Sequence, residues 1–116
     1  MKILIVDDEP DTETLFQQKF RKEVRAGEHE LLFSLSGEEA LQQNIAAIDV
    51  MLIDVNMPGM SGLELADQIR SKNKSTKLFL MTGLGDQSES LAREHGCNGF
   101  FGKPIDFERM KLEIFG

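Results

Sequence analysis

Five short apolar runs, separated by longer amphipathic stretches, are the feature of this sequence that most limits its possible folds. The runs are Ile3 to Val6, Glu30 to Leu35, Val50 to Ile53, Leu78 to Met81 and Gly99 to Phe101. They recur roughly every 23 residues, which is the length of a strand and a helix with two short loops. Strict alternation predicts a parallel sheet with right-handed crossovers and helices on both faces. We therefore expect one α/β domain over residues 1–116.

The stretches between the runs carry apolar residues at helical spacing. Ser36 followed by Glu39 predicts a capping box at the start of the second helix. Three of the predicted apolar stripes are Leu15, Phe16, Phe20 and Val24 in the first helix, Ala40, Leu41 and Ile45 in the second, and Leu91, Ala92 and His95 in the fourth. Each stripe needs a sheet face to cover it.

The amino-acid composition limits which partners the protein can bind and indicates the compartment in which it acts. The 20 acidic and 13 basic residues give a net charge of −7, which disfavours nucleic acid as a direct partner. The single cysteine, Cys97, excludes an intramolecular disulfide, and we expect a buried or half-buried thiol rather than a redox site. The apolar runs are too short to cross a membrane, and residues 1–8 do not resemble a signal peptide. A cytoplasmic protein is the default expectation.

Polar side chains follow the predicted strands at the edge where open parallel sheets bind ligands. Asp7, Asp8 and Glu9 follow the first run and Asp54 follows the third. If these strands are neighbours, three carboxylates converge, and two charges 4 Å apart repel by about 4 kcal/mol at an effective dielectric of 20. Mg²⁺, which prefers oxygen ligands, would remove that repulsion. The alternatives are a solvated acidic turn for residues 7–9 and a turn or N-cap role for Asp54.

Two further residues at this edge favour a functional site over these structural alternatives. Thr82 follows the fourth run, and Lys103 with Pro104 follows the fifth. Alone, Thr82 is typical of a turn and Lys103 of an exposed surface. Together with the acids they supply a hydroxyl, an ammonium group and a carboxylate nucleophile, a set suited to a phosphoryl group.

Four segments together resemble the CheY-like receiver domain of two-component response regulators. They are Ile-Leu-Ile-Val-Asp-Asp-Glu-Pro at residues 3–10, Met-Leu-Ile-Asp-Val-Asn-Met-Pro-Gly-Met-Ser-Gly at 51–62, Met-Thr-Gly at 81–83 and Phe-Phe-Gly-Lys-Pro at 100–104. The resemblance covers essentially the whole chain. It implies a flavodoxin-like, doubly wound five-stranded sheet of order 2-1-3-4-5, an order that the general rule for such folds describes with a member of this family as its example.

The resemblance also assigns roles to residues. It implies that Asp54 accepts the phosphoryl group, and that Asp7, Asp8, Asp54 and the backbone carbonyl of Asn56 bind Mg²⁺. Thr82 resembles the switch hydroxyl and Lys103 the ammonium group that contacts the phosphoryl group. Phe100 occupies the position of a rotameric aromatic residue, and Pro104 is expected to follow a cis peptide bond.

The implied function is a phosphorylation-dependent switch rather than an enzyme, apart from assisting its own phosphorylation and slow self-dephosphorylation. A sensor histidine kinase or histidine phosphotransfer protein would act upstream. A downstream protein would bind the face formed by the fourth helix, fifth strand and fifth helix, with the chain a monomer or a weak phosphorylation-dependent dimer. Leu84, two residues past Thr82, predicts slower self-dephosphorylation than in a Leu84→Glu variant.

Two other functions stay open at the level of sequence. One is a receiver-like docking module that never carries phosphate, against which the complete set of polar residues argues. The other is a phosphatase of the haloacid dehalogenase type, which also uses an aspartate nucleophile and Mg²⁺. In that family, however, the nucleophile follows the first strand, and 116 residues leave no room for a cap domain.

Overall fold

A five-stranded parallel sheet forms the centre of the protein. The computed structural model describes residues 1–83 and 85–116, apart from the side chain of Asp86. Its strands are β1 (Lys2–Val6), β2 (Glu30–Ser34), β3 (Val50–Asp54), β4 (Lys77–Thr82) and β5 (Gly99–Gly102). They are ordered β2-β1-β3-β4-β5 and every pairing is parallel. The predicted fold class and strand order are confirmed.

Five helices alternate with the strands. Helix α1 has two segments, Pro10–Lys19 and Arg21–Arg25; the others are α2 (Gly37–Leu41), α3 (Gly62–Lys72), α4 (Ser88–Glu94) and α5 (Phe107–Phe115), with single 3-10 turns at Ile45–Ala47 and Gly85–Gln87. Within the described chain, no helix combines the length and the apolar character needed to cross a bilayer.

Two separate apolar cores lie on the two faces of the sheet, because side chains alternate along each strand. On one face Leu4, Met51 and Ile53 pack with residues of α3 and α4. On the other face Ile3 and Leu52 pack with residues of α1 and α5. All five residues of β3 are buried, as expected for a central strand covered on both sides.

The first helix differs from the predicted continuous stripe because it breaks at Phe20. The φ and ψ angles of Phe20 are −106° and 15°, outside the helical region. Phe16 and Phe20 are buried as predicted, but Leu15 and Val24 are 41% and 42% exposed. The ring of Phe20 packs edge-on against Phe115 of α5, with centroids 5.8 Å apart. This aromatic packing accompanies a turn of the chain that leaves Val24 outside the core.

Contacts from α5 support the break. The Lys111 ammonium group donates a hydrogen bond of 2.6 Å to the Lys19 carbonyl at the end of the first segment. The same ammonium lies 5.1 Å from the Phe20 ring centroid and 3.1 Å from a Glu23 carboxylate oxygen. One lysine thus satisfies a helix-terminal carbonyl and connects both segments of α1 to α5.

The second helix begins as predicted and ends earlier than predicted. The Ser36 hydroxyl accepts a hydrogen bond of 3.0 Å from the Glu39 N–H, but the Glu39 carboxylate accepts from the N–H of Leu35 at 3.4 Å, one residue before the expected donor. The helix stops at Leu41, and Ile45 opens a separate 3-10 turn. The Thr76 hydroxyl donates a hydrogen bond of 3.0 Å to the Ile48 carbonyl directly after this turn and lies 3.4 Å from the Ile45 carbonyl oxygen, so a residue distant in sequence contacts both ends of the turn. Likewise α4 ends at Glu94, one residue before His95.

Cys97 is half-buried, as expected, and should react slowly with alkylating reagents. Burial raises the pKa of its thiol to about 11. At pH 8 the reactive thiolate is then about 0.1% of the population, against roughly a quarter for a free cysteine. Iodoacetamide labelling followed by intact-mass spectrometry should therefore run about two orders of magnitude slower than in the urea-unfolded chain. Equal native and unfolded rates would contradict this prediction.

Candidate functional site

The carboxyl edge of the sheet brings the predicted site residues together. In the β1–β3 ladder Val6 is paired with Ile53, so the residues that follow them, Asp7 and Asp54, lie side by side. In the β4–β5 ladder Thr82 is paired with Gly102, which places Lys103 directly beyond it. The Lys103 N–H donates a hydrogen bond of 2.9 Å to the Thr82 carbonyl and fixes this end of β5.

Three carboxylates converge at this edge, as the strand order predicts. Asp7 and Asp54 are only 6% and 4% exposed, and Asp8 is half-buried. One oxygen from each of the three lies within 4.8 Å of the others. Asp7 also accepts a hydrogen bond of 2.9 Å from the N–H of Glu9, which orients its carboxylate. Desolvated oxygens gathered in this way fit a hard divalent cation with oxygen ligands such as Mg²⁺.

Lys103 supplies positive charge to the cluster. Its ammonium group donates a hydrogen bond of 2.9 Å to Asp54 Oδ1 and lies 3.9 Å from Asp7 Oδ2. The Lys103 side chain is 41% exposed, so it reaches the buried acids from the solvent side. The peptide bond between Lys103 and Pro104 is cis, as the resemblance implies.

Burial and charge shift the pKa values of the central pair. Burial raises the pKa of Asp54, and the Asp7 charge adds to this increase, while hydrogen bonds from Lys103 and the Asn56 N–H only partly offset it. Burial lowers the pKa of Lys103, but the hydrogen bond to Asp54 and the nearby carboxylates outweigh that effect and raise it overall. Lys103 is therefore charged at neutral pH, and the negative charge on Asp54 is incompletely compensated.

The remaining predicted residues that the structure describes lie on β4, on β5 and on the loop after β3. Thr82 is 2% exposed at the end of β4, and Asn56 is exposed two residues after Asp54. Phe100 is half-buried and packs against the core on the α3–α4 face. Leu84, for which the sequence predicts an effect on dephosphorylation, lies outside the described residues.

Gly62 is a positioning residue whose role the sequence analysis did not identify. Its N–H donates a hydrogen bond of 3.1 Å to the Val55 carbonyl at the start of α3. A Cβ atom at this position would collide with the backbone carbonyl of Asp54. The visible sequence signal is a glycine directly after Ser61, whose hydroxyl caps α3 by accepting from the Glu64 N–H at 3.2 Å. Only the close packing of Gly62 against the Asp54 backbone in the folded protein shows that this glycine supports the loop after Asp54.

Comparison with known proteins agrees with this arrangement of fold and site. The response regulator receiver domain family matches residues 3–115. The chain belongs to this family. A receiver domain is the signalling domain of a two-component response regulator, with a histidine kinase or phosphotransferase upstream. Phosphorylation and Mg²⁺ binding at an acidic pocket are general features of the family, and Asp7, Asp8 and Asp54 form an acidic cluster at the carboxyl edge of this sheet.

The relatives differ in how much of their own length this chain covers. A cyclic di-GMP phosphodiesterase of Thermotoga maritima is 32% identical over 98% of this chain, which spans only 30% of that protein's length. Sporulation initiation phosphotransferase F of Bacillus subtilis is 28% identical over 95% of the chain and 87% of its own length. The structure of the response regulator TrrA of Thermotoga maritima in complex with Mg²⁺-BeF is 31% identical, with a TM-score of 0.80 over 98% of this chain and 96% of that one.

Proposed function

We propose that this receiver domain accepts a phosphoryl group on Asp54 and uses it to control a partner protein. The observation that carries the proposal is the position of Asp54, which is 4% exposed, grouped with two other aspartates and 2.9 Å from the Lys103 ammonium group. A carboxylate held with its charge incompletely compensated is a suitable nucleophile. Asp7, at 6% exposed, is not a solvated surface acid, and one oxygen of the half-buried Asp8 lies within 4.8 Å of an oxygen of Asp7 and of Asp54.

The proposed reaction moves a phosphoryl group from a phosphohistidine nitrogen to a carboxylate oxygen of Asp54. The phosphorus–nitrogen bond breaks as the phosphorus–oxygen bond forms, and its electron pair stays on the nitrogen. A donor ring that carries a proton on its other nitrogen then leaves as neutral imidazole, and Asp54 becomes an acyl phosphate. Lys103 would transfer its hydrogen bond from the carboxylate to a phosphoryl oxygen and offset the added charge of about −1.5 to −2. Thr82, at the end of the adjacent strand, would donate a further hydrogen bond.

Mg²⁺ fits the same edge of the sheet. Asp7, Asp8, Asp54 and the Asn56 backbone carbonyl are the residues that would hold it. When bound, the ion supplies charge neutralisation between the carboxylates and the incoming phosphoryl oxygens. The TrrA complex with Mg²⁺-BeF supports this assignment, because it shows a 31% identical receiver protein together with such a ligand.

We further propose that phosphorylation changes the face formed by α4, β5 and α5. Movement of Thr82 toward the phosphoryl group would open space for the half-buried Phe100 to turn inward, shifting an existing equilibrium. The chain contains no tyrosine, so this step depends on packing without a hydroxyl group. Phe100 borders an open cavity of about 450 Å³ together with Arg93, Arg109 and Glu113, which gives a downstream protein both apolar and charged contacts.

A sensor histidine kinase or a histidine phosphotransfer protein is the proposed phosphoryl donor, and the proposed compartment is the cytoplasm. The phosphotransferase relative, which this chain nearly matches in length, supports a place within a phosphorelay. Other relatives join a receiver region to much longer chains, so the partner on the α4–β5–α5 face can be a separate protein or an attached domain.

The test is intact-mass spectrometry after incubation with a small-molecule phosphodonor, with and without Mg²⁺. We expect the parent protein to gain one phosphoryl group only with Mg²⁺, and the Asp54→Ala variant to gain none. Asp11→Ala removes an exposed acid from the first turn of α1 and is the matched control that should behave like the parent. No gain in the parent would favour a docking module, and a gain in Asp54→Ala would identify a different acceptor.

A further inference from the structure

Strand β2 is an edge of the sheet, and its outer side is unpaired among the described strands. The Glu30 N–H donates to the Met1 carbonyl at 2.9 Å, and the Ser34 carbonyl accepts from the Asp7 N–H at 3.1 Å. Backbone groups alternate in direction along a strand, so Leu31 and Phe33 direct their N–H and C=O groups away from β1. The strand contains no lysine or proline, and its one charged residue, Glu30, lies at its first position, so the rest of its outer side is open to pairing with another strand.

A stripe of side chains from α1 and β2 borders this edge, and its charge changes sign along its length. Gln17, Arg21, Leu31 and Phe33 line a cavity of about 300 Å³ between α1 and β2. At the other end of β2, Glu13 lies with Phe33 and Leu35 around a second, much smaller cavity. We call Glu13, Gln17, Arg21, Leu31 and Phe33 the edge stripe. It is acidic near the carboxyl end of β2, apolar in the middle and basic near the amino end.

Neither charged residue of the stripe has an oppositely charged partner among the described side chains. Glu13 and Arg21 are exposed, and neither takes part in an ion pair between described side chains. Among the described residues, the one side-chain hydrogen bond to either is a long one, from Gln17 Nε2 to Glu13 Oε2 at 3.4 Å. Two apolar side chains also stay exposed beside the stripe, Val24 at 42% beside the basic end and Leu35 at 46% beside the acidic end.

The geometry points to a second copy of this chain as the occupant: we propose that two copies pair antiparallel through β2, about a two-fold axis at Leu32. Leu31 would then lie opposite Phe33 of the second copy and exchange both backbone hydrogen bonds with it. Because α1 runs antiparallel to β2, the same axis passes Gln17 and brings Glu13 of each copy toward Arg21 of the other. A two-fold contact requires this self-complementarity.

The same two-fold axis also brings the exposed apolar residue at one end of the stripe toward the exposed apolar residue at the other end of the second copy's stripe. Leu35 of one copy falls opposite His29 of the other, which lines the cavity together with Val24. A partner of a single charge sign, such as an acidic peptide, would meet a like charge at one end of the stripe. A second copy meets an opposite charge at both ends. The net charge of −7 on each copy opposes pairing at low ionic strength and is screened over about 8 Å at physiological salt.

Sedimentation velocity from micromolar to near-millimolar concentration at physiological salt tests the proposal. We expect the parent protein to self-associate reversibly. Arg21→Glu and Glu13→Arg should each weaken self-association about ten-fold or more, because two attractive pairs per dimer become repulsive. An equimolar mixture of the two variants should associate again, since each places opposite charges against the other. Recovery in the mixture also shows that both variants are folded.

Lys72→Glu is the matched control, because it makes the same change in net charge as Arg21→Glu on an exposed residue of α3. It should associate like the parent. A parent protein that stays monomeric throughout would overturn the proposal. So would a dimer unaffected by Arg21→Glu, or a mixture of the two variants that does not associate.

Discussion

Replacing Lys103 with methionine should slow phosphoryl uptake from a small-molecule donor by about a hundred-fold. The Lys103 ammonium group lies 2.9 Å from Asp54 Oδ1 and 3.9 Å from Asp7 Oδ2, and no other described lysine or arginine forms an ion pair with these acids. Removing one preorganised donor from a developing charge typically costs 10²- to 10³-fold in rate. Methionine keeps much of the length of the side chain and removes only the charge and the hydrogen bonds.

The same variant should bind Mg²⁺ more tightly, because a positive charge that competes for Asp54 and Asp7 is gone. The protein has no tryptophan or tyrosine, so calorimetry and the Mg²⁺-induced increase in melting temperature are the suitable measurements. Slower phosphoryl uptake together with tighter Mg²⁺ binding separates a role at the phosphoryl group from general damage to the site. Lys74→Met, at an exposed position, is the matched control. If Lys103→Met takes up the phosphoryl group as fast as the parent protein, Lys103 has no role at the phosphoryl group.

Replacing Gly62 with alanine should lower the free energy of unfolding by about 3 kcal/mol. The new Cβ atom would meet the Asp54 carbonyl and the adjacent Val55 backbone, neither of which can move as a flexible side chain can. Either the start of α3 or the end of β3 must shift. At a urea dependence of about 1.5 kcal/mol per molar, the unfolding midpoint should fall by roughly 2 M.

Gly83→Ala provides the control for this prediction. A Cβ atom at Gly83 would meet no atom of the described residues within 4 Å, and the φ angle of Gly83 is not positive. This variant should be as stable as the parent or slightly more stable, because alanine restricts the unfolded chain. Since Gly62 contacts the backbone of Asp54, Gly62→Ala should also weaken Mg²⁺ binding measured by calorimetry below the unfolding transition. Equal urea midpoints for the parent and Gly62→Ala would show that the close approach carries no cost.

The fold and most of the site follow from local patterns in the sequence. The short apolar runs predict five strands to within about one residue at each end, because a strand covered on both faces is apolar along its length. The strand order, taken from the family resemblance, then brings Asp7 beside Asp54 and Lys103 beyond Thr82, although Lys103 and Asp54 are 49 positions apart. The order of the strands and the edge rule for parallel sheets suffice for that convergence.

Tertiary structure alone decided where the helices break and how closely the loops approach the site. The break at Phe20 is accompanied by contacts from Lys111, which is 92 residues from the Lys19 carbonyl it contacts, and from the ring of Phe115. The early end of α2 is accompanied by a contact from Thr76, and the requirement for glycine at position 62 comes from the backbone of Asp54. Helical periodicity reports which face of a segment is apolar, whereas these features arise from contacts between segments that local sequence does not encode.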